Sequence, residues 1–141
     1  MSTPDNDSAG LDWLLDNLQS RTPGVHHVLV LSKDGLKMCF TAGLDTDRAD
    51  QLSAIASGIQ SLSLSASAEF GHGLGAGQSM VEFPGGLLLI VPAGEGAHLA
   101  VVAASDADVG VIGHNMNELV EQMGQYLTAA PRQPQPSSPM P

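Results

Sequence analysis

Residues 78–103 read QSMVEFPGGLLLIVPAGEGAHLAVVA, and this stretch decides the fold. Gln78 to Phe83 alternates in polarity as a half-buried strand does, and Pro84-Gly85-Gly86 supplies a turn. Leu87 to Val91 follows as a wholly apolar run, then Gly94-Glu95-Gly96 turns the chain again before His98 to Ala103. Three strands joined by tight turns make an antiparallel meander. Because Leu87 to Val91 is apolar at every position, the pattern predicts an interior strand covered on both faces. Such a sheet needs helices on both sides.

Working outward, the segment upstream supplies one of them. Leu44 to Arg48 marks a helix start, with Asp45, Thr46 or Asp47 placed to cap the first free amides. Leu52, Ile55, Ile59, Leu62 and Ala66, joined by Ala56, recur at helical spacing and are expected to face the sheet. Burying each large member would contribute about 1.5–3 kcal/mol. Beside them runs a row of small residues, Ala54, Gly58, Ser61 and Ser65, expected to form a flatter face for a neighbour. Glycine inside a helix costs about 1 kcal/mol relative to alanine, so Gly58 implies a compensating close approach. The glycine-rich run Gly71 to Gly77 ends this helix.

Further upstream, Val25 to Leu31 is β-branched and short, and Asp34-Gly35 turns the chain into a return strand, Leu36 to Thr41. Leu36, Met38 and Phe40 share one face of that strand; Lys37, Cys39 and Thr41 share the other. Leu11, Leu14, Leu15 and Leu18 form one face of an amphipathic helix that Thr22-Pro23-Gly24 terminates. Residues 1–10 are expected to be a flexible leader. Downstream, Asp106 and Asp108 cap a last helix in which Val109, Ile112, Met116, Leu119, Val120, Met123 and Leu127 repeat at helical spacing. Pro131 ends it, and residues 131–141, with five prolines, are expected to be a disordered tail. The expected fold is α+β: a five-stranded antiparallel sheet sandwiched by helices in the order α-β-β-α-β-β-β-α, one domain over residues 11–130.

Composition narrows the function. Of 141 residues 43% are hydrophobic and 4% aromatic, so the core is aliphatic. The formal charge of −10 argues against nucleic acid, whose phosphates are met chiefly by Lys and Arg. No apolar run is long enough to span a bilayer, and no membrane insertion is expected. Met1 to Gly10 is polar and acidic, unlike a secretory signal, and Cys39 is the single cysteine; both point to the cytoplasm.

Catalytic patterns are missing. The Gly71 to Gly77 cluster follows a helix and precedes a strand, the reverse of a phosphate-binding loop. His26, His27, His72, His98 and His114 include no i, i+4 helical pair that would make a metal face. Cys39 reads as a small half-buried strand residue rather than a nucleophile. The serines from Ser53 to Ser67 sit on a helix and not at a strand-to-helix elbow. Asp45, Asp47 and Asp50 read as helix-start charges, and Glu118, Glu121 and Gln122 as a solvated helix face. Trp13 lies off the leucine stripe and is expected to be a partly exposed contact. No cofactor or metal is called for. The small-residue helix face and the acidic surface point to association instead.

Taken together, these features resemble the roadblock/LC7 family. Leu11 to Leu18 begins the likeness. The run GVHHVLVLSKDGL from Gly24 to Leu36 is similar to the family's opening strand and Asp-Gly-Leu turn, and Gly77 to Pro92, with FPGGLLLIV inside it, is similar to its central hairpin. The Ala- and Gly-rich, Lys-poor composition is closest to actinobacterial members encoded beside a sensor histidine kinase and a Ras-like GTPase. The resemblance implies a roadblock/LC7 or profilin-like fold and a non-enzymatic homodimer that scaffolds or regulates a small Ras-like GTPase. In the family, two central helices pack antiparallel and the third strands pair across the two-fold axis. Carried onto this sequence, the helix contact uses Ala54, Ile55, Gly58, Ile59, Ser61, Leu62 and Ser65, and the joined edge uses Ser79, Met80, Val81, Glu82 and Phe83. Arg21 and Arg48, the arginines inside the fold, are not evident arginine fingers. The competing expectation is a sensor of similar build that holds a small ligand between sheet and helix.

Overall fold

The structure, a computed structural model, describes residues 3–75, 77–94 and 96–129. Its elements are α1 (Thr3–Arg21), β1 (Val25–Ser32), β2 (Lys37–Phe40), α2 (Thr46–Phe70), β3 (Ser79–Phe83), β4 (Gly86–Pro92), β5 (Ala97–Ala103) and α3 (Val109–Ala129). The five strands form one sheet in the order β2-β1-β5-β4-β3, with every neighbouring pair antiparallel. The element order is the expected one.

Alternation along the strands divides the sheet into two buried faces. Val28 and Val30 of β1, Leu89 and Val91 of β4, and Leu99 and Val101 of β5 face α1 and α3. There they meet Leu14, Leu15 and Leu18 from α1 and Ile112, Met116, Leu119 and Met123 from α3. Leu29, Leu31, Leu88, Ile90 and Ala100 point the other way, onto Leu44 and onto Ala49, Leu52 and Ala56 of α2. β4 is thus interior and apolar on both faces for the reason its sequence gives.

Turns and caps follow local chemistry. Gly35 takes a left-handed φ of +88°, its N–H donates to the Ser32 carbonyl at 2.9 Å, and the Leu36 N–H donates to Ser32 Oγ at 3.2 Å. At the start of α2 the Asp45 carboxylate accepts from the Arg48 N–H at 2.8 Å, and at the start of α3 Asp108 accepts from the Val111 N–H at 3.2 Å. Asp108, not Asp106, is the cap.

Several expectations need correction. α1 begins at Thr3, so most of the stretch expected as a leader is helix. Pro4 falls in the first turn, where its missing amide costs no helical hydrogen bond. On α2 the buried row is Ala49, Leu52, Ser53, Ala56 and Gln60, whereas Ile55 and Leu62 are 53% and 72% exposed. At 3.6 residues per turn those two lie roughly 100–120° around the helix from Ala56, outside the arc the sheet covers. Ile59 sits at the border, partly buried against the α2 cluster. Leu36 lies outside β2 and is exposed, and Val109 is exposed at the start of α3. The proline-rich tail and the Leu127 side chain lie outside the described residues.

Candidate functional site

The two edges of the sheet differ in their chemistry. An edge strand presents a row of unpaired N–H and C=O groups, and proteins that do not use an edge blunt it. β2 is blunted: it has four residues, starts with Lys37, and meets β1 through a register shift between Val30 and Leu31. β3 carries none of these devices. It runs in unbroken register from Ser79↔Ile90 to Phe83↔Gly86, contains neither Lys nor Pro, and exposes Met80 and Phe83. Glu82 is its one charge.

The register fixes where the β3 side chains go. Val81 lies opposite Leu88 and packs into the α2 cluster, while Met80 lies opposite Leu89 on the α3 side. Phe83 lies opposite Gly86, where an added Cβ would stand 2.6 Å from Phe83 Cε1. Glycine therefore leaves room for the ring to lie across the end of β4.

The outer face of α2 is the second half of the surface. Ile55 and Leu62 are exposed, Ile59 partly so, and Ala54, Ser61 and Ser65 are exposed beside them. A Cβ added at Gly58 would meet nothing within 4 Å, so this point of the helix is open to a neighbour's backbone. Gln60 connects the helix to the edge strand. Its side chain is 4% exposed, Nε2 donates to the Gly77 carbonyl at 3.3 Å, and Oε1 accepts from Ser79 Oγ at 2.8 Å. Sequence reasoning missed Gln60, although it completes the 49-52-53-56-60 spacing of the buried row.

Of the twelve candidate contact residues, the exposed ones are Ala54, Ile55, Gly58, Ser61, Leu62, Ser65, Met80, Glu82 and Phe83. Ile59, Ser79 and Val81 are partly engaged inside the chain. Leu62, carried over to the helix contact, is 72% exposed, among the most exposed aliphatics of the described residues.

The alternatives weighed from the sequence place differently. No group of three or more metal-ligating side chains comes together among the described residues. Cys39 is buried and its Sγ donates to Asp12 Oδ1 at 2.8 Å; burial, reinforced by that bond and by the Asp12 and Asp16 charges, pushes the thiol well above its ordinary range. That is the reverse of an activated nucleophile. Gly71 to Gly77 connects α2 to β3, and Gly71 and Gly73 close the helix end by donating to the Ser67 carbonyl at 2.9 and 3.0 Å. Asp50 pairs with Lys37 at 2.6 Å. Arg21 reaches Asn115 at 3.3 Å and Glu118 at 3.2 Å, and Glu118 also faces His114 at 3.2 Å, tying α1 to α3. Trp13 is 62% exposed. No helix among the described residues is long and apolar enough to cross a membrane.

The sequence pattern of the Roadblock/LC7 domain matches residues 11–103. Among solved structures, a Roadblock/LC7 domain from Streptomyces avermitilis is 42% identical, covering 82% of this chain and 96% of that one with a TM-score of 0.79. MglB from Myxococcus xanthus shares the fold at 12% identity, with 85% and 96% of the chains covered and a TM-score of 0.75. Profilin IB from Acanthamoeba castellanii shares it more distantly, at 15% identity, with 82% and 98% covered and a TM-score of 0.54. No curated protein sequence matches the chain.

Proposed function

For this chain, which belongs to the Roadblock/LC7 domain family, we propose a non-enzymatic role as a homodimeric adaptor that regulates a small Ras-like GTPase. Two copies pair through the outer face of α2, using Ala54, Ile55, Gly58, Ile59, Ser61, Leu62 and Ser65. They also join β3 to β3 along Ser79 to Phe83, so that two five-stranded sheets become one continuous layer. The observation that carries this reading is the contrast between edges: β2 is short, lysine-bearing and bulged, whereas β3 is regular and lies beside exposed Ile55, Gly58 and Leu62. An isologous pairing is the commonest dimer geometry and buries the same patch on both copies.

Family membership supports a GTPase as the partner. The adaptor would act by presenting a surface rather than a catalytic group, since Arg21 is held by Asn115 and Glu118. A sensor histidine kinase joins the same signalling complex in this reading, which places the chain's work in the cytoplasm. Light scattering should return about twice the 14.5 kDa chain mass; a strict monomer at tens of micromolar refutes the dimer. Gly58→Leu should weaken self-association by about tenfold or more, a loss of about 1.4 kcal/mol, while the melting temperature of the separated chain does not fall, since leucine is the better helix former at this open position. Retention of a nucleotide-loaded Ras-like GTPase on the immobilised protein tests the partner separately.

A further inference from the structure

On the α2 side of the sheet, the turn after β1, the start of β5 and the C-terminal half of α2 enclose a cleft of about 410 Å³. Lys33, Ser57, Gln60, Ser61, Leu64 and His98 line it. Its chemistry runs against that of the whole molecule. The chain carries a formal charge of −10, yet among the described residues no carboxylate lines the cleft. Lys37 and Arg21 are paired with Asp50 and Glu118, whereas Lys33 forms no ion pair among the described residues. The backbone of that turn is fixed, because the Lys33 N–H donates to the Gly96 carbonyl at 3.0 Å.

The other walls add hydrogen-bonding groups at a defined spacing. Ser57 and Ser61 are one helical turn apart and so lie on the same face of α2. Gln60 is buried with its amide committed to Gly77 and Ser79, making it a rigid wall. His98 is half-buried, and its Nδ1 is sealed from solvent without a hydrogen-bond partner. Burial holds its pKa below the usual imidazole range, so the ring is neutral near pH 7 and one nitrogen is an acceptor in need of a donor.

We propose that this cleft binds a small hydroxylated organic anion. The Lys33 ammonium and the Ser57 hydroxyl would receive the anionic group, and a ligand hydroxyl would hydrogen-bond to Nε2 of His98, the ring nitrogen that is not sealed. The groups assigned to the ligand, Lys33, Ser57 and His98, belong to a single chain and lie outside the residues of the proposed pairing, which takes Ser61 at the rim of the cleft; no GTPase is needed.

The test is a titration of the full chain followed by amide and imidazole NMR shifts. The probes are glycerol 3-phosphate and L-lactate, with inorganic phosphate and glycerol as controls at matched ionic strength. Saturable shifts centred on Lys33, Ser57 and His98 with either hydroxylated anion, at least tenfold weaker with inorganic phosphate or glycerol, bear the proposal out. Whichever of the two anions binds more tightly identifies the head group. Lys33→Met and Ser57→Ala, each checked for an unchanged melting temperature, should each weaken binding at least tenfold and about threefold, respectively. Shifts that never saturate, that inorganic phosphate reproduces at equal strength, or that persist in Lys33→Met overturn it.

Discussion

Gly24 shows how closely single positions are specified. It sits in the turn between α1 and β1 at φ +90°, its carbonyl accepts from the Ala104 N–H at 2.8 Å, and a Cβ there would stand 2.7 Å from the Ala107 Cβ. Left-handed strain and collision combine, so Gly24→Ala should lower stability by about 1–3 kcal/mol, read from chemical denaturation. Cys39 gives a second test at this scale. With its thiol buried and bonded to Asp12, the native protein should resist alkylation by iodoacetamide at mildly alkaline pH, while the urea-unfolded chain reacts fully. That Cys39 is a small, half-buried strand residue was legible from the sequence; its full burial was not, since it shares a strand face with Lys37 while Met38 of the more apolar face is exposed. Its partner was not, because Asp12 lies on α1 and meets it only through tertiary packing.

Among the elements, α2 separates what periodicity can decide from what it cannot. Apolar and small residues occupy more than one of its faces, so helical spacing established the helix, with Asp45 one of three cap candidates, without selecting the side that meets the sheet. Ranking by size put Ile55 and Leu62 inside; the structure buries the slimmer row Ala49, Ser53, Ala56 and Gln60 with Leu52 and leaves both large aliphatics out. The resemblance, which assigned Ile55 and Leu62 to a contact surface, fits their exposure better than the hydropathy of the helix does. Gln60→Ala removes two part-buried hydrogen bonds that hold the start of β3, each worth about 0.5–1.5 kcal/mol. Faster amide exchange along Ser79 to Phe83 than in the parent protein should accompany that loss.

Across the whole molecule, the hairpin and the meander were legible because tight turns and alternation are local. The placement of β5 between β1 and β4 was not, since it joins segments far apart in sequence. Packing also sets the pH response. His27 is held below its ordinary pKa by burial first, then by Arg48 and His26, and His98 by burial alone. An unfolded imidazole titrates near pH 6.5, so below that value the unfolded chain binds more protons than the native one. Stability is therefore full above about pH 6.5 and declines as pH falls through the lowered native values. Melting temperatures across that interval should fall on acidification, and His98→Gln should flatten the decline. The unequal sheet borders have a last consequence for stoichiometry. Under the proposed pairing, a ribbon that extends past β3, and is stopped at β2 by a register shift and a lysine, would gain one neighbour and then have no open border left. Edge-to-edge growth into fibres would then be closed off by that geometry.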